Sequence, residues 1–275
     1  MIIDSHQHFW NYDPIRDIWI DNSMAVLKRN FLPKDLKKIY KINSVEGCIA
    51  VQADQSEEET IFLLDQASKN SFIKGVVGWL DIKSSKLNDL LSYYTKYSAF
   101  KGLRHIVQNE KDVNFMLKSD FQRGLSCLEE YNLTYDILIK EHQMDQAIKM
   151  VKKNPNQIFI LDHIGKPKIS KNVDSTWIKN INELSLNENV FCKISGLVTE
   201  TKFFKWEIDD FKPFLDLIFD CFGVDRVMYG SDWPVCLIAS TFEDTINIVK
   251  NHISSFSDNE KNKIMSLNAI KAYNL

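Results

Sequence analysis

Residues 3–10 read IDSHQHFW, a run that begins like a buried strand and then places two histidines on it. In extended chain Ile2, Asp4, His6 and His8 share one face, because side chains alternate along a strand. Histidines two residues apart on one face have the spacing that chelation, or paired hydrogen bonding to a substrate, requires. That face suits the end of a strand that opens onto a site.

Working outward, short runs rich in β-branched and aromatic residues recur at 2–8, 45–53, 73–81, 100–108, 133–140, 157–165, 190–196 and 226–234. The stretches between them carry helical periodicity: 33–41, 56–69, 85–97, 114–131, 142–153, 174–186, 209–223 and 240–253. A ninth helix, 257–275, closes the chain and is capped by Ser257 or Asp258. Strands alternating with helices give right-handed βαβ units and a parallel sheet, and eight repeats complete an α/β fold of the (β/α)8 TIM-barrel type. The alternative, an open doubly wound sheet, loses its commonest signature because no Gly-x-Gly-x-x-Gly follows the first strand. No Gly, Ser or Pro linker divides the sequence, so residues 1–275 are read as a single barrel domain. One connection, about 9–32, carries Trp10, Tyr12 and Trp19 and is long for a compact domain; following strand 1, it would lie over the C-terminal mouth where barrels place their sites.

Composition narrows the partners. The chain has 34 Lys and Arg against 37 Asp and Glu, a formal charge of -3, with the basic residues scattered. Neither nucleic acid nor an anionic membrane is indicated. Five cysteines, far apart and without a Cys-x-x-Cys pair, read as reduced thiols. No apolar run approaches the roughly 20 residues that span a bilayer, and strand-like sequence starts at Ile2 with no room for a signal peptide. The expectation is a soluble, cytoplasmic protein.

In a barrel, polar residues at the strand ends converge. Strand 1 offers His6 and His8; strand 4 offers Arg104 or His105, of which alternation lets one face inward. Strand 5 ends at Lys140, strand 6 offers Asp162 or His163 followed by Lys166, and strand 8 ends GSDWP, with Asp232 beside Trp233. Asp4 has two readings, a carboxylate that orients a histidine or a buried structural Asp. Asp232 either caps the next segment or is a positioned catalytic group, held by Gly230 and Pro234. Trp10 and Trp233 are either core or platforms for a sugar ring.

At these residues the sequence resembles the amidohydrolase superfamily, and within it the sugar-lactone hydrolase branch of L-fuconolactonases and L-rhamnonolactonases. The resemblance rests on IDSHQHFW, GCIAVQA, FKGLRHIVQ, LDHIGKP, CKISGLVTE, RVMYGSDWPVC and NAIKAYNL, in family order along the whole chain. It implies a distorted (β/α)8 barrel in which His6 and His8 take the strand-1 role, His163 the strand-6 role and Asp232 the strand-8 role around a hydrolytic water. The strand-5 histidine of the superfamily is missing, since His142 lies beyond Lys140, and a strand-4 Lys or Glu bridge is absent, which argues against two metals. Two alternatives stay open: one Zn2+ on His6, His8 and Asp232, or chemistry without a metal.

The function implied is hydrolysis of a sugar-derived lactone, L-fuconolactone or a similar 6-deoxy or hexonolactone, to its aldonic acid. Asp232 would be general base on water, with His163 and Arg104 as the other catalytic groups. His6, His8, Trp10, His105, Lys166 and Trp233 would contact the substrate. One rival is a Zn-dependent amidohydrolase or decarboxylase of a small aromatic or pyrone acid, weakened by a set of only five arginines. A second is a non-catalytic sugar-acid sensor on a retired barrel. The sequence leaves oligomeric state open.

Overall fold

A computed structural model of the chain describes residues 1–275, the side chain of Phe203 excepted. Eight strands form one sheet: β1 (Ile3–Gln7), β2 (Gly47–Val51), β3 (Ile73–Gly78), β4 (Phe100–His105), β5 (Thr134–Ile137), β6 (Phe159–Leu161), β7 (Val190–Ile194) and β8 (Val227–Tyr229). Each pairs in parallel with the next, in sequence order. β8 returns to β1 through the Gln7–Trp233 bridge, with Asp232 N–H donating to His6 O at 2.8 Å and His8 N–H to Trp233 O at 2.7 Å. The ring is thus the expected TIM-type barrel, closed just where the strand-1 and strand-8 motifs meet.

Helices α1 (Pro33–Asn43), α2 (Glu57–Lys69), α3 (Leu87–Tyr94), α4 (Ser119–Glu130), α5 (Met144–Lys153), α6 (Ser175–Ser185), α7 (Lys212–Phe222) and α8 (Phe242–His252) follow the strands in turn. Their apolar faces bury Leu36, Leu63, Leu91, Leu125, Ile148, Ile181, Leu215 and Val249 against the outer side of the sheet. Each such side chain contributes about 1.5–3 kcal/mol on leaving water, so this layer is the main source of stability. Inside the barrel, Ile3, Ile49, Val51, Val77, Ile160, Phe191 and Met228 form a second apolar layer. That layer is floored by the last helical segment: α9 (Asp258–Asn262), a π-helical turn (Lys263–Leu267) and α10 (Asn268–Tyr273), whose Ala269, Ala272 and Tyr273 pack under it. The cap of α9 is Ser257, whose side chain accepts from Glu260 N–H.

β1 departs from simple alternation. Asp4 pairs with Cys48 and Gln7 with Ala50, so three residue steps on β1 face two on β2, a bulge. Ile3 lies in the inner layer while Asp4 reaches the α1 hydroxyl of Tyr40 on the outside. After the bulge, Gln7 faces outward to Cys48 Sγ at 3.3 Å and His6 faces inward to Asp162 and Arg104. The expectation that Asp4 shares a face with His6 and His8 is corrected: the inserted residue resets the parity between them.

The connection after β1 is pinched at its base, where Trp10 and Phe31 exchange backbone hydrogen bonds of 3.0 Å. Trp10 is buried there and donates its indole N–H to Arg29 O at 3.0 Å. Among the described residues no helix is long and apolar enough to cross a membrane.

Candidate active site

At the C-terminal ends of the strands lies a cavity of about 200 Å³, walled by His8, Trp19, Arg104, His163, Lys166 and Asp232 among others. Asp232 takes a left-handed backbone, φ 57°, immediately after Ser231. That turn is tied to β1 by Asp4, which accepts from Ser231 N–H at 2.8 Å, Ser231 Oγ at 2.5 Å, Tyr40 Oη at 2.9 Å and His6 N–H at 3.1 Å. Burial pushes the Asp4 carboxyl up to about 6 while these donors pull it back. Asp4 therefore orients the Asp232 turn, and does not contact a histidine ring.

His8 donates from Nδ1 to Val51 O at 2.7 Å, which leaves Nε2 bare and 3.4 Å from Asp232 Oδ1. His6 lies one layer deeper, its Nε2 3.2 Å from His8 Nε2 and 3.8 Å from Asp232 Oδ1. Burial holds His6 well below the ordinary imidazole range, with Lys193 and His163 adding to the effect and Asp162 opposing it. Burial disfavours ionised Asp232 too, yet His163, His8 and His6 outweigh it and hold this carboxyl below the usual carboxylate range. The result is an anion on the cavity wall beside two imidazoles, His6 and His163, that burial keeps neutral.

His163 and Asp162 both reach the site, although alternation offered only one of them. Asp162 points into the barrel; His163 and Ile164 then take left-handed backbone, φ 55° and 49°, and the turn swings the ring inward as well. His163 Nδ1 sits 2.9 Å from Ser195 Oγ, and burial brings its pKa down to about 4. Gly196, with φ 63°, leaves room for that ring: a Cβ there would stand 2.5 Å from His163 Nδ1. At β4 it is Arg104 that faces inward. Its Nη1 donates to Asp162 Oδ2 at 3.0 Å, Nη2 donates to Gln52 O, and the buried Nε has no partner among the described residues.

Beneath the cavity is an ionic layer that the strand-end reasoning missed. Lys193, fully buried on β7, lies 2.5 Å from Asp136 Oδ2 and 2.9 Å from Asp162 Oδ1. Tyr273 of α10 donates to the same Asp136 oxygen at 2.7 Å. Lys193 and Arg104 balance Asp136 and Asp162, which a layer cut off from water requires. The signal was present: a lysine inside the apolar run VFCKIS has to find carboxylates.

Four expected substrate contacts do not line the cavity: His6, fully buried one layer below it, and Trp233, Trp10 and His105. Trp233 is buried between Phe9 and Phe31, at ring distances of 6.1 and 5.2 Å. Trp10 sits at the base of the loop, as described above, and the aromatic that does reach the cavity is Trp19. His105 faces away from Arg104, bonding Glu110 at 2.7 Å and stacking on Phe115. Lys166 lines the cavity and stands 3.6 Å from Glu200.

The donor atoms of His6, His8 and Asp232 all lie within 4.8 Å of one another. Tetrahedral ligands 2.0–2.1 Å from a common ion stand roughly 3.3 Å apart, close to the 3.2 Å between the two Nε2 atoms. The set therefore fits a single divalent ion in spacing and in chemistry.

The closed parallel barrel thus carries its His-x-His at the end of β1 and its aspartate just after β8. The amidohydrolase family model matches residues 3–275, and the chain belongs to that family. It is 34% identical to an L-fucono-1,5-lactonase of Burkholderia multivorans, over 99% of this chain and 96% of that one. An L-rhamnono-gamma-lactonase of Scheffersomyces stipitis is 22% identical over 66% of this chain and 61% of that protein. Among solved structures, an amidohydrolase from Burkholderia multivorans with bound Zn matches with a TM-score of 0.97 at 34% identity, over 100% of this chain and 99% of that one.

Proposed function

We propose that this chain, acting as a single barrel domain, hydrolyses a sugar-derived lactone, L-fuconolactone or a similar 6-deoxy or hexonolactone, to the aldonic acid. The observation that carries the reading is the ionised Asp232 on the wall of a cavity of about 200 Å³, facing His8, His163, Arg104 and Lys166. Such a cavity takes one small polar ring. The full-length likeness to a lactonase points to the same substrate class.

In this reading water adds to the lactone carbonyl and its proton passes to Asp232 as the new C–O bond forms. The oxyanion meets Arg104 and His163, which line the cavity and are held in place by Asp162 and Ser195 before substrate arrives. Collapse of the intermediate breaks the ring C–O bond, and the departing oxygen takes up the proton that Asp232 had accepted. Lys166 and Trp19 contact the ring and its hydroxyls. An ion held by His6, His8 and Asp232 would add Lewis-acid polarisation of the carbonyl or acidify the water. Five free cysteines, three of them buried, suit a cytoplasmic setting.

The test is Asp232→Asn, assayed by proton release from sugar lactones. Loss of a base of this kind lowers the rate by about 10²–10⁴, so the variant should fold normally and lose turnover by that factor. Near-normal turnover would remove Asp232 from the mechanism.

A further inference from the structure

A second cavity, of about 640 Å³, adjoins the reacting one, and Gln108, Asn109 and Lys166 line both. Ligand pockets usually run to roughly 300–1,000 Å³, so the reacting cavity of about 200 Å³ holds one ring and the space for anything larger lies next door. Such pockets are also lined mainly by apolar and aromatic side chains, whereas the lining of the second cavity has none. Its charged groups are balanced, Lys140, Lys166 and Lys168 against Glu141, Asp174 and Glu200. An apolar ligand finds no matching surface there, and an anion meets three carboxylates. A hydroxyl group both donates and accepts, so a polyhydroxylated ligand uses both signs, donating to the carboxylates and accepting from the ammonium groups.

Several of these groups are fixed in advance. Lys166 Nζ stands 3.6 Å from Glu200 Oε1, and the loops that carry the two are joined by the Ile169–Thr201 bridge, with Ile169 N–H donating to Glu200 O at 3.1 Å. Asp174 is held at the start of α6, where it accepts from Thr176 N–H at 2.7 Å and Trp177 N–H at 3.2 Å. Burial, and then the nearby Asp174 charge, push the Glu141 carboxyl up. Two carboxyl groups side by side match the paired O–H groups of a vicinal diol. We propose that the second cavity is a subsite for an uncharged sugar unit attached to the lactone ring, so that the substrates of this site include lactones of disaccharide acids. The inference rests on the lactonase reading for the ring and on the lining of the second cavity for the extension.

The test has two arms. In the first, proton release is compared for a lactone that the protein opens and for the same lactone carrying a neutral hexosyl or an acidic hexuronosyl unit at each ring hydroxyl in turn. At least one hexosyl lactone should show a kcat/KM at least tenfold above that of the bare ring, mainly through a lower KM. Lys168→Ala and Thr176→Trp change exposed residues that line only the second cavity; both should erase this advantage and leave the kinetics of the bare lactone unchanged. In the second arm, saturation-transfer NMR gives Kd for a panel of neutral disaccharides and their component monosaccharides. One disaccharide should bind at least tenfold more tightly than either component, and Thr176→Trp should remove the gain. Where a lactone is opened, the first arm decides; where none is, the lactonase reading fails and the second arm still decides the subsite. A two-ring ligand with no advantage over one ring overturns the proposal, as does an advantage that survives Thr176→Trp or a preference for hexuronosyl over hexosyl lactones.

Discussion

Asp4→Ala should loosen the seam that closes the barrel. Four buried donors converge on this carboxylate: Ser231 N–H, Ser231 Oγ, His6 N–H and Tyr40 Oη, at 2.5–3.1 Å. A buried donor left without its acceptor costs about 1–3 kcal/mol. The two hydroxyls can rotate toward other partners, but the two backbone N–H groups cannot, so the loss comes to roughly 4 kcal/mol. Asp4→Asn keeps one acceptor oxygen and gives the hydroxyls an amide donor, which limits the loss to about 1 kcal/mol. In urea, with an m value of about 3 kcal/mol per molar, the alanine variant's midpoint should fall by about 1.3 M and the asparagine variant's by about 0.3 M. Because Ser231 immediately precedes Asp232, kcat should fall in the same order while KM changes less. An alanine variant with the wild-type midpoint would show that Asp4 does not tie β1 to the strand-8 turn, and the account of how Asp232 is positioned would fail.

Acid should destabilise the protein through its buried histidines. His163 has a pKa brought down to about 4 from an ordinary 6.5, so its contribution is complete above pH 6.5. Below that, the unfolded chain binds a proton that the folded one refuses, and about 3 kcal/mol is lost between pH 6.5 and 4. His163→Asn, which tolerates the left-handed backbone, should flatten that slope in pH-dependent unfolding; an unchanged slope contradicts the assignment. Trp233→Ala should cost about 3–5 kcal/mol, read as a lower Tm, because it empties a buried aromatic site. Trp19 is 41% exposed at the cavity, so Trp19→Ala should leave the Tm nearly unchanged and raise KM several-fold; the opposite pattern would exchange the two tryptophans' roles.

The barrel was legible because its signal is periodic: eight apolar runs, each followed by a helical stretch, with the chemistry at the strand ends. His6, His8, His163, Arg104, Lys166 and Asp232 were all found in this way, and the structure gathers them in one place. What was illegible was local geometry that breaks periodicity. The bulge between Asp4 and Gln7 moved Asp4 to the outer face, and the left-handed turn at His163 let two neighbouring residues face the site. The long helix expected at 114–131 breaks into a 3-10 turn, Phe115–Leu117, and α4, and the terminal helix carries a π-helical turn. Lys193 and Asp136 lie in mid-strand, below the level where strand-end reasoning looks. The tryptophans misled because an aromatic beside a polar motif fits a sugar platform and a packed core equally well, and only burial separates the two.

The most direct measurement is proton release by the purified wild-type protein presented with L-fuconolactone and a panel of 6-deoxy and hexonolactones. The account predicts that at least one of these is opened to its aldonic acid with kcat/KM on the order of 10⁴ M⁻¹s⁻¹ or higher, and that the activity falls by about 10²–10⁴ in Asp232→Asn. No lactone turned over above its uncatalysed rate, with the protein folded and Zn2+ supplied, would contradict it.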